Sequence, residues 1–91
     1  MASNINKAFK TAQATVATAA TLIVAARAGR DTVIIENSGT TAVYIGDSTV
    51  TTSTGLLLPG VLGASVALET TDAVYGRVAS GSQVVTAIEN F

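Results

Sequence analysis

The chain has 91 residues, no cysteine and no histidine, and its formal net charge is −1. This excludes disulfides, thiolate metal sites and imidazole chemistry, and it allows one domain with a single modest core. Apolar residues make up 48% and charged residues only 12%, against a usual charged share of about 25%, and a domain this small cannot hide so much apolar surface. Two readings follow: part of the outside is covered in an oligomer or larger assembly, or threonine, serine, glutamine and asparagine supply the wet surface instead of charges. The basic residues Lys7, Lys10, Arg27, Arg30 and Arg77 are scattered, so no stripe exists to neutralise a row of phosphates and no nucleic-acid partner is expected.

Residues 1–10 (MASNINKAFK) show no consistent period and read as an N-terminal arm. Such a terminus is commonly disordered, but Ile5 and Phe9 lie at helix-like spacing and offer anchors for a neighbouring subunit or partner. From Thr11 the chain alternates: Ala12, Ala14 and Val16 point one way, and Thr11, Gln13 and Thr15 the other, as in a strand with one polar face. Residues 21–26 (TLIVAA) form a denser run, with Leu22 and Val24 opposed to Ile23. Alanine there suits a helix, but the alternation and the β-branched side chains favour strands. Residues 14–26 superficially resemble the apolar part of a signal peptide behind Lys7 and Lys10. The interspersed threonines argue for strands instead, and the run is too short to span a bilayer, so no membrane partner is expected.

Residues 32–47 (TVIIENSGTTAVYIGD) hold two β-branched, apolar runs around a polar interval containing Asn37 and Gly39. The pattern predicts a hairpin at the centre of the domain. Each run is apolar on both faces over its middle residues, which places it centrally in a sheet or under a partner. Residues 48–55 (STVTTSTG) read as a hydroxyl-rich loop with a short extended stretch at Val50. In residues 56–63 (LLLPGVLG), Pro59, Gly60 and Gly63 oppose a continuous central strand. This segment is either a loop folded over the core or an apolar patch offered to a partner. Leu56, Leu57, Leu58, Val61 and Leu62 are its candidate contacts.

Strands are expected again over residues 64–69, 73–79 and 83–89, the last two as a hairpin through the Ser80-Gly81 turn. The total is about seven antiparallel strands in one all-β domain, residues 11–91, a small β-sandwich or barrel behind the extended arm. A weak internal echo joins TAVYIGD, ending at Asp47, with DAVYGRV, ending at Val78. It could place two Val-Tyr strands equivalently in two sheets.

Catalysis needs groups able to move protons, attack or hold a metal. Asp31, Glu36, Asp47, Glu69, Asp72 and Glu89, with Tyr44, Tyr75, Lys7 and Lys10, form no recognisable motif, and no phosphate-binding glycine loop occurs. The carboxylates read as solvated rims and turn formers, so no catalytic, cofactor or metal residue is assigned and a non-enzyme is expected. Tyr44 and Tyr75 read as core or interface side chains with a phenol reaching the surface.

The succession IIENSGTTAVYIGDSTVTTSTGLLL followed by DAVYGRVASGSQVVTAIEN resembles small phage virion β-sandwich proteins of the capsid decoration or cement type. The residues carrying the resemblance are Asn37, Gly39, Val43, Tyr44, Ile45, Gly46, Val50, Thr51, Gly55, Leu56, Val74, Tyr75, Ser80 and Gly81. It covers most of the chain, residues 21–89, but departs over residues 57–63, where such proteins tend to be more polar. The resemblance implies a homotrimer made in the host cytoplasm and bound to the major capsid protein on the outer capsid surface of the virion. The contacts would be Ile5 and Phe9 of the arm together with Leu56, Leu57, Leu58, Val61 and Leu62. The alternative is a tail, baseplate or head-fibre module that binds a host-surface glycan through Thr51, Thr52, Ser53 and Tyr75, although the chain has no tryptophan to stack on a sugar.

Overall fold

The computed structural model describes residues 8–91. Eight strands form: β1 (Phe9–Val16), β2 (Thr21–Val24), β3 (Thr32–Asn37), β4 (Val43–Gly46), β5 (Leu56–Leu58), β6 (Ser65–Leu68), β7 (Val74–Arg77) and β8 (Gln83–Asn90). They make two antiparallel four-stranded sheets, in the orders β1-β8-β3-β6 and β2-β7-β4-β5. Two interleaved Greek keys give this order, and the architecture is a jelly-roll sandwich. The all-β expectation stands, with one more strand than the sequence indicated because residues 56–58 pair as a short edge strand on β4. Pro59 follows at once and ends it. β1 also starts earlier than the alternation at Thr11: Phe9 pairs with Asn90 and Lys10 with Glu89, since β8 runs on far enough to offer them partners. Ile5 lies outside the described residues.

The core follows the period of two in each strand. β3 buries Val33 and Ile35, β4 Val43 and Ile45, and β8 Val85 and Ala87, while Val16, Ile23, Val24, Leu58, Val74 and Val78 complete the layer between the sheets. β2 breaks the alternation. A register shift between Leu22 and Val24 lets the adjacent Ile23 and Val24 both reach the core, where simple alternation had opposed them.

Two expected hairpins are corrected. β3 lies in one sheet between β8 and β6, while β4 lies in the other between β7 and β5. The polar interval over residues 38–42 is therefore an arch between sheets. β7 and β8 are divided in the same way. A short turn between two amphipathic runs serves a hairpin or an arch equally well, because both bury the same side chains. Only the partner strands decide between them. β4 and β5 pair with each other, and every other connection among the described strands crosses the sandwich. The Val-Tyr echo is resolved too: β4 and β7 are neighbours in one sheet, with Tyr44 opposite Arg77 and Gly46 opposite Tyr75.

These crossings gather the loops at two ends. Residues 25–31, 47–55 and 69–73 lie at one end with Ala8 and Phe91; residues 17–20, 38–42, 59–64 and 78–82 lie at the other. β3 spans the distance, with Arg30 just before its first residue and Asn37 as its last.

Candidate functional site

β5 and β6 are the edge strands of their sheets and face each other along one side of the sandwich. On β5 the period of two turns Leu57 outward, opposite Tyr44, and Leu56 and Leu58 inward, opposite Ile45 and Val43. Leu57 is 53% exposed and Leu56 is 52% exposed, whereas Leu58 is 1% exposed and belongs to the core. Leu58 is thus removed from the contacts expected of this segment: its inward parity decides its burial. Past Pro59 the chain carries Val61 and Leu62 out into solvent, and Leu62 is 71% exposed. Together Leu57, Val61 and Leu62 form an apolar rim beside the β5 edge.

A buried amide fixes that rim. Asn37 is fully buried, and its Nδ2 donates to the carbonyls of Thr41 (2.8 Å) and Pro59 (2.9 Å), while its Oδ1 accepts from the Gly39 backbone N–H (2.9 Å). Its backbone is engaged as well, donating to the Ala64 carbonyl and accepting from the Gly63 N–H. Residues 59–64 therefore hang from one asparagine. Gly60 packs so closely on the Thr40 carbonyl that a Cβ there would collide with it.

At the opposite end the edge is not shut. Leu56 and Leu68 both face inward, but the sheets part between them, leaving a cleft of about 220 Å³ walled by Ile45, Leu56, Leu68, Ala73 and Val74, with Asp47, Thr70 and Asp72 among its lining. Asp47 is exposed, and its Oδ1 accepts from the hydroxyl (2.6 Å) and backbone N–H (2.9 Å) of Thr49. Those hydrogen bonds, the one from the Thr49 hydroxyl foremost, hold its carboxyl below the usual aspartate range.

Beside the cleft, residues 47–55 fold back over the outer face of β4. A Cβ on Gly46 would fall 2.8 Å from Val50 Cγ2, so the missing side chain is what lets buried Val50 sit there. Val50 is not in a strand, contrary to the short extended stretch expected at that position. A polar hollow lined by Gly46, Asp47, Thr49, Val50 and Thr54 results. Of the hydroxyls of the glycan alternative, that of Thr51 is committed to the loop itself, its Oγ1 accepting from the backbone N–H groups of Ser53 and Thr54.

The same end holds a buried ionic hub. The Arg30 side chain is 0% exposed, and its Nη1 reaches Glu89 Oε1 at 2.8 Å. Three more of its N–H groups donate to the carbonyls of Ala25 (3.0 Å), Thr70 (2.8 Å) and Asp72. Arg27 approaches Glu89 from the surface, with Nε 3.1 Å from Oε1, and lies 4.1 Å over the Phe91 ring. The hydrogen bonds from Arg27 hold the Glu89 carboxyl below the usual glutamate range; burial works against them and Arg30 adds to the fall. Sequence reasoning read Glu89 as part of a solvated rim, and its burial against Arg30 corrects that reading. Glu89 shares inward parity with Val85 and Ala87, and Asn37 with Val33 and Ile35, so a signal existed for both. Arg30 precedes its strand and carried none.

The structure does not unite the expected contact residues. Phe9 is 68% exposed but lies on β1, at the opposite edge from β5 and β6 and at the Arg30 end, whereas Leu62 lies at the Asn37 end. Among the described residues no group of three carboxylates is placed to hold a metal ion. Comparison of the chain with protein-family models, with curated proteins and with solved structures finds no match.

Proposed function

We propose that the protein is a bacteriophage virion component that decorates the outer capsid surface as an oligomer and stabilises the shell. The observation that carries the interaction is the apolar rim of Leu57, Val61 and Leu62, exposed yet anchored through Asn37 to the core. An exposed leucine on a mobile loop must be ordered on binding, whereas these start in place, and preorganisation lowers the cost of docking. The capsid as the partner rests on the sequence resemblance, and low net charge accords with close packing of copies. Many weak contacts at lattice spacing would then reinforce the shell through multivalency. The jelly roll itself does not choose, because the same architecture serves viral shells and lectins.

The test is copy number, read by quantitative mass spectrometry of purified virions against the major capsid protein. About one copy per shell subunit supports decoration, and absence from the particle overturns it. A few copies per particle would favour the second reading, glycan recognition by a tail, baseplate or head-fibre module. The polar hollow of Asp47, Thr49 and Thr54 favours that reading.

A further inference from the structure

Four edge strands bound the two sheets, and three of them are poor templates for a further strand. β5 covers three residues and ends at Pro59, β6 covers four, and β2 covers four with a register shift among them. Shortness, proline and bulges are the devices by which sheet edges avoid further pairing. β1 has none of them. It runs for eight residues, FKTAQATV, in unbroken register with β8, and its only charge is Lys10.

The register also names the backbone groups that β1 leaves open. Ala8 and Phe91 exchange two backbone hydrogen bonds (2.7 and 2.8 Å), and they extend the register that pairs Lys10 with Glu89 and Ala12 with Ala87. Hydrogen-bonded pairs alternate along an antiparallel ladder, so the even-numbered residues of β1 bond to β8. Phe9, Thr11, Gln13 and Thr15 turn their N–H and C=O groups away from it, and all four residues are exposed. Among the described strands none lies beyond them in the sheet.

We propose that this edge pairs with the same edge of a second copy, antiparallel about a two-fold axis at Ala12, so that the two β1-β8-β3-β6 sheets become one. Self-complementarity selects the second copy. Opposite residues of an antiparallel pair share a face, so the open, odd-numbered residues of one copy meet those of the other. With Ala12 on the axis, Phe9 faces Thr15 of the other copy and Thr11 faces Gln13, and every open residue exchanges both of its hydrogen bonds. With Gln13 on the axis Phe9 would face Ala17, whose N–H and C=O are already bonded to Thr21 Oγ1 and to the Val78 N–H. With Thr11 on the axis Thr15 would lie past the start of the other β1. Ala12 therefore gives the one register that closes the whole edge.

The same register keeps like charges apart. Lys10 falls opposite Ala14, about 14 Å along the strands from the other Lys10, which is beyond the screening length of about 8 Å at physiological salt. Phe9, 68% exposed in the single chain, gains a β-branched cross-strand neighbour in Thr15. This edge-to-edge dimer goes beyond the capsid reading and does not depend on it.

The test uses the full chain. Analytical ultracentrifugation should show a dimer, and amide hydrogen exchange at Thr11 and Thr15 should slow as it forms. Gln13→Pro removes an open N–H from each copy and no bond to β8, a change that an edge strand tolerates on its solvent side. It should raise the dissociation constant at least about tenfold, the loss expected of two hydrogen bonds, with an unchanged far-ultraviolet circular dichroism spectrum. Ala12→Cys gives an independent readout in a chain that has no other cysteine. Its Cα atoms would stand about 4.5 Å apart across the axis, within disulfide reach, so mild oxidation should link the copies. Ala14→Cys, about 14 Å from its counterpart along the strands, should stay unlinked. A monomeric or trimeric wild type, a dimer as tight in Gln13→Pro as in the wild type, or equal linking at both positions would each overturn the proposal. So would a monomer with Thr11 and Thr15 protected from exchange, which would give the edge to a segment of the same chain. A virion lacking the protein would end the capsid reading without altering these outcomes, and a monomer present at one copy per shell subunit would end the dimer alone.

Discussion

At one end of β3, Arg30 draws together carbonyls from two loops and the carboxylate of Glu89; at the other, Asn37 draws together the carbonyls of Thr41 and Pro59. The need is common to both ends. When successive strands cross between sheets, the connecting backbone leaves its hydrogen-bonding ladder, and its buried carbonyls must find other donors. One end meets the need with charge and the other with a neutral amide, and the difference has consequences. The asparagine end is shut, with Pro59 tied down and Gly60 pressed on Thr40, and it presents a fixed apolar rim. The arginine end is bound to solution pH through Glu89 and leaves the sheets parted between Leu56 and Leu68.

The largest effect expected is that of Arg30→Met. It leaves Glu89 without its buried partner and three carbonyls without their donor, and breaking a buried pair in this way costs about 3–5 kcal/mol. Urea unfolding measures it, and a smaller loss than that of Asn37→Ala would reverse the ranking of the two ends. Asn37→Ala should cost about 2–3 kcal/mol, because it leaves buried carbonyls without a donor. It should also free residues 59–64, raising amide hydrogen exchange at Gly63 and Ala64 while leaving Asp31 protected. Exchange rising equally at both positions would mean that the ends do not act separately.

A smaller effect separates them by pH. Glu89 has a lowered pKa in the folded chain, so the unfolded chain binds more protons as the solution is acidified. The stabilisation is complete above the ordinary glutamate value and is lost as pH falls through the lower folded value. Asp47 contributes with the same sign. The urea midpoint of the wild type should therefore fall below about pH 4.5. Glu89→Gln should flatten that fall, and Asn37→Ala should keep it; equal slopes in the two variants would remove Glu89 as its source. Smallest of all is Leu62→Ser, which should change stability by no more than about 0.5 kcal/mol, as expected of an exposed side chain. The same variant should weaken binding to capsids in a co-sedimentation assay, and unchanged binding would take the rim out of the interaction.

The strands themselves were legible in the sequence because alternation is a local property. Ala12, Ala14 and Val16 declare the inner face of β1, and Pro59 with its glycines limits β5 to an edge. The exposure of Leu57, Val61 and Leu62 was one of two readings of residues 56–63, the other being a loop folded over the core, and alternation did not choose between them. Partners were not legible. The runs that became β3 and β4 carry the same inward pattern whether they pair as a hairpin or face each other across a sandwich, so no local signal separated the two. Leu58 stood among three leucines, and its burial came from lying opposite Val43 and facing inward.

By itself the sequence determined an all-β fold, the approximate place of every strand but β5, and an apolar segment after Gly55. Tertiary structure alone decided that successive strands cross, that Arg30 and Glu89 meet 59 residues apart in the chain, and that the edge closes at Asn37 and parts at Leu56 and Leu68. The physical reason is that side-chain parity is written residue by residue, while sheet order and the pairing of distant polar groups arise when every buried carbonyl and carboxylate finds a partner at once.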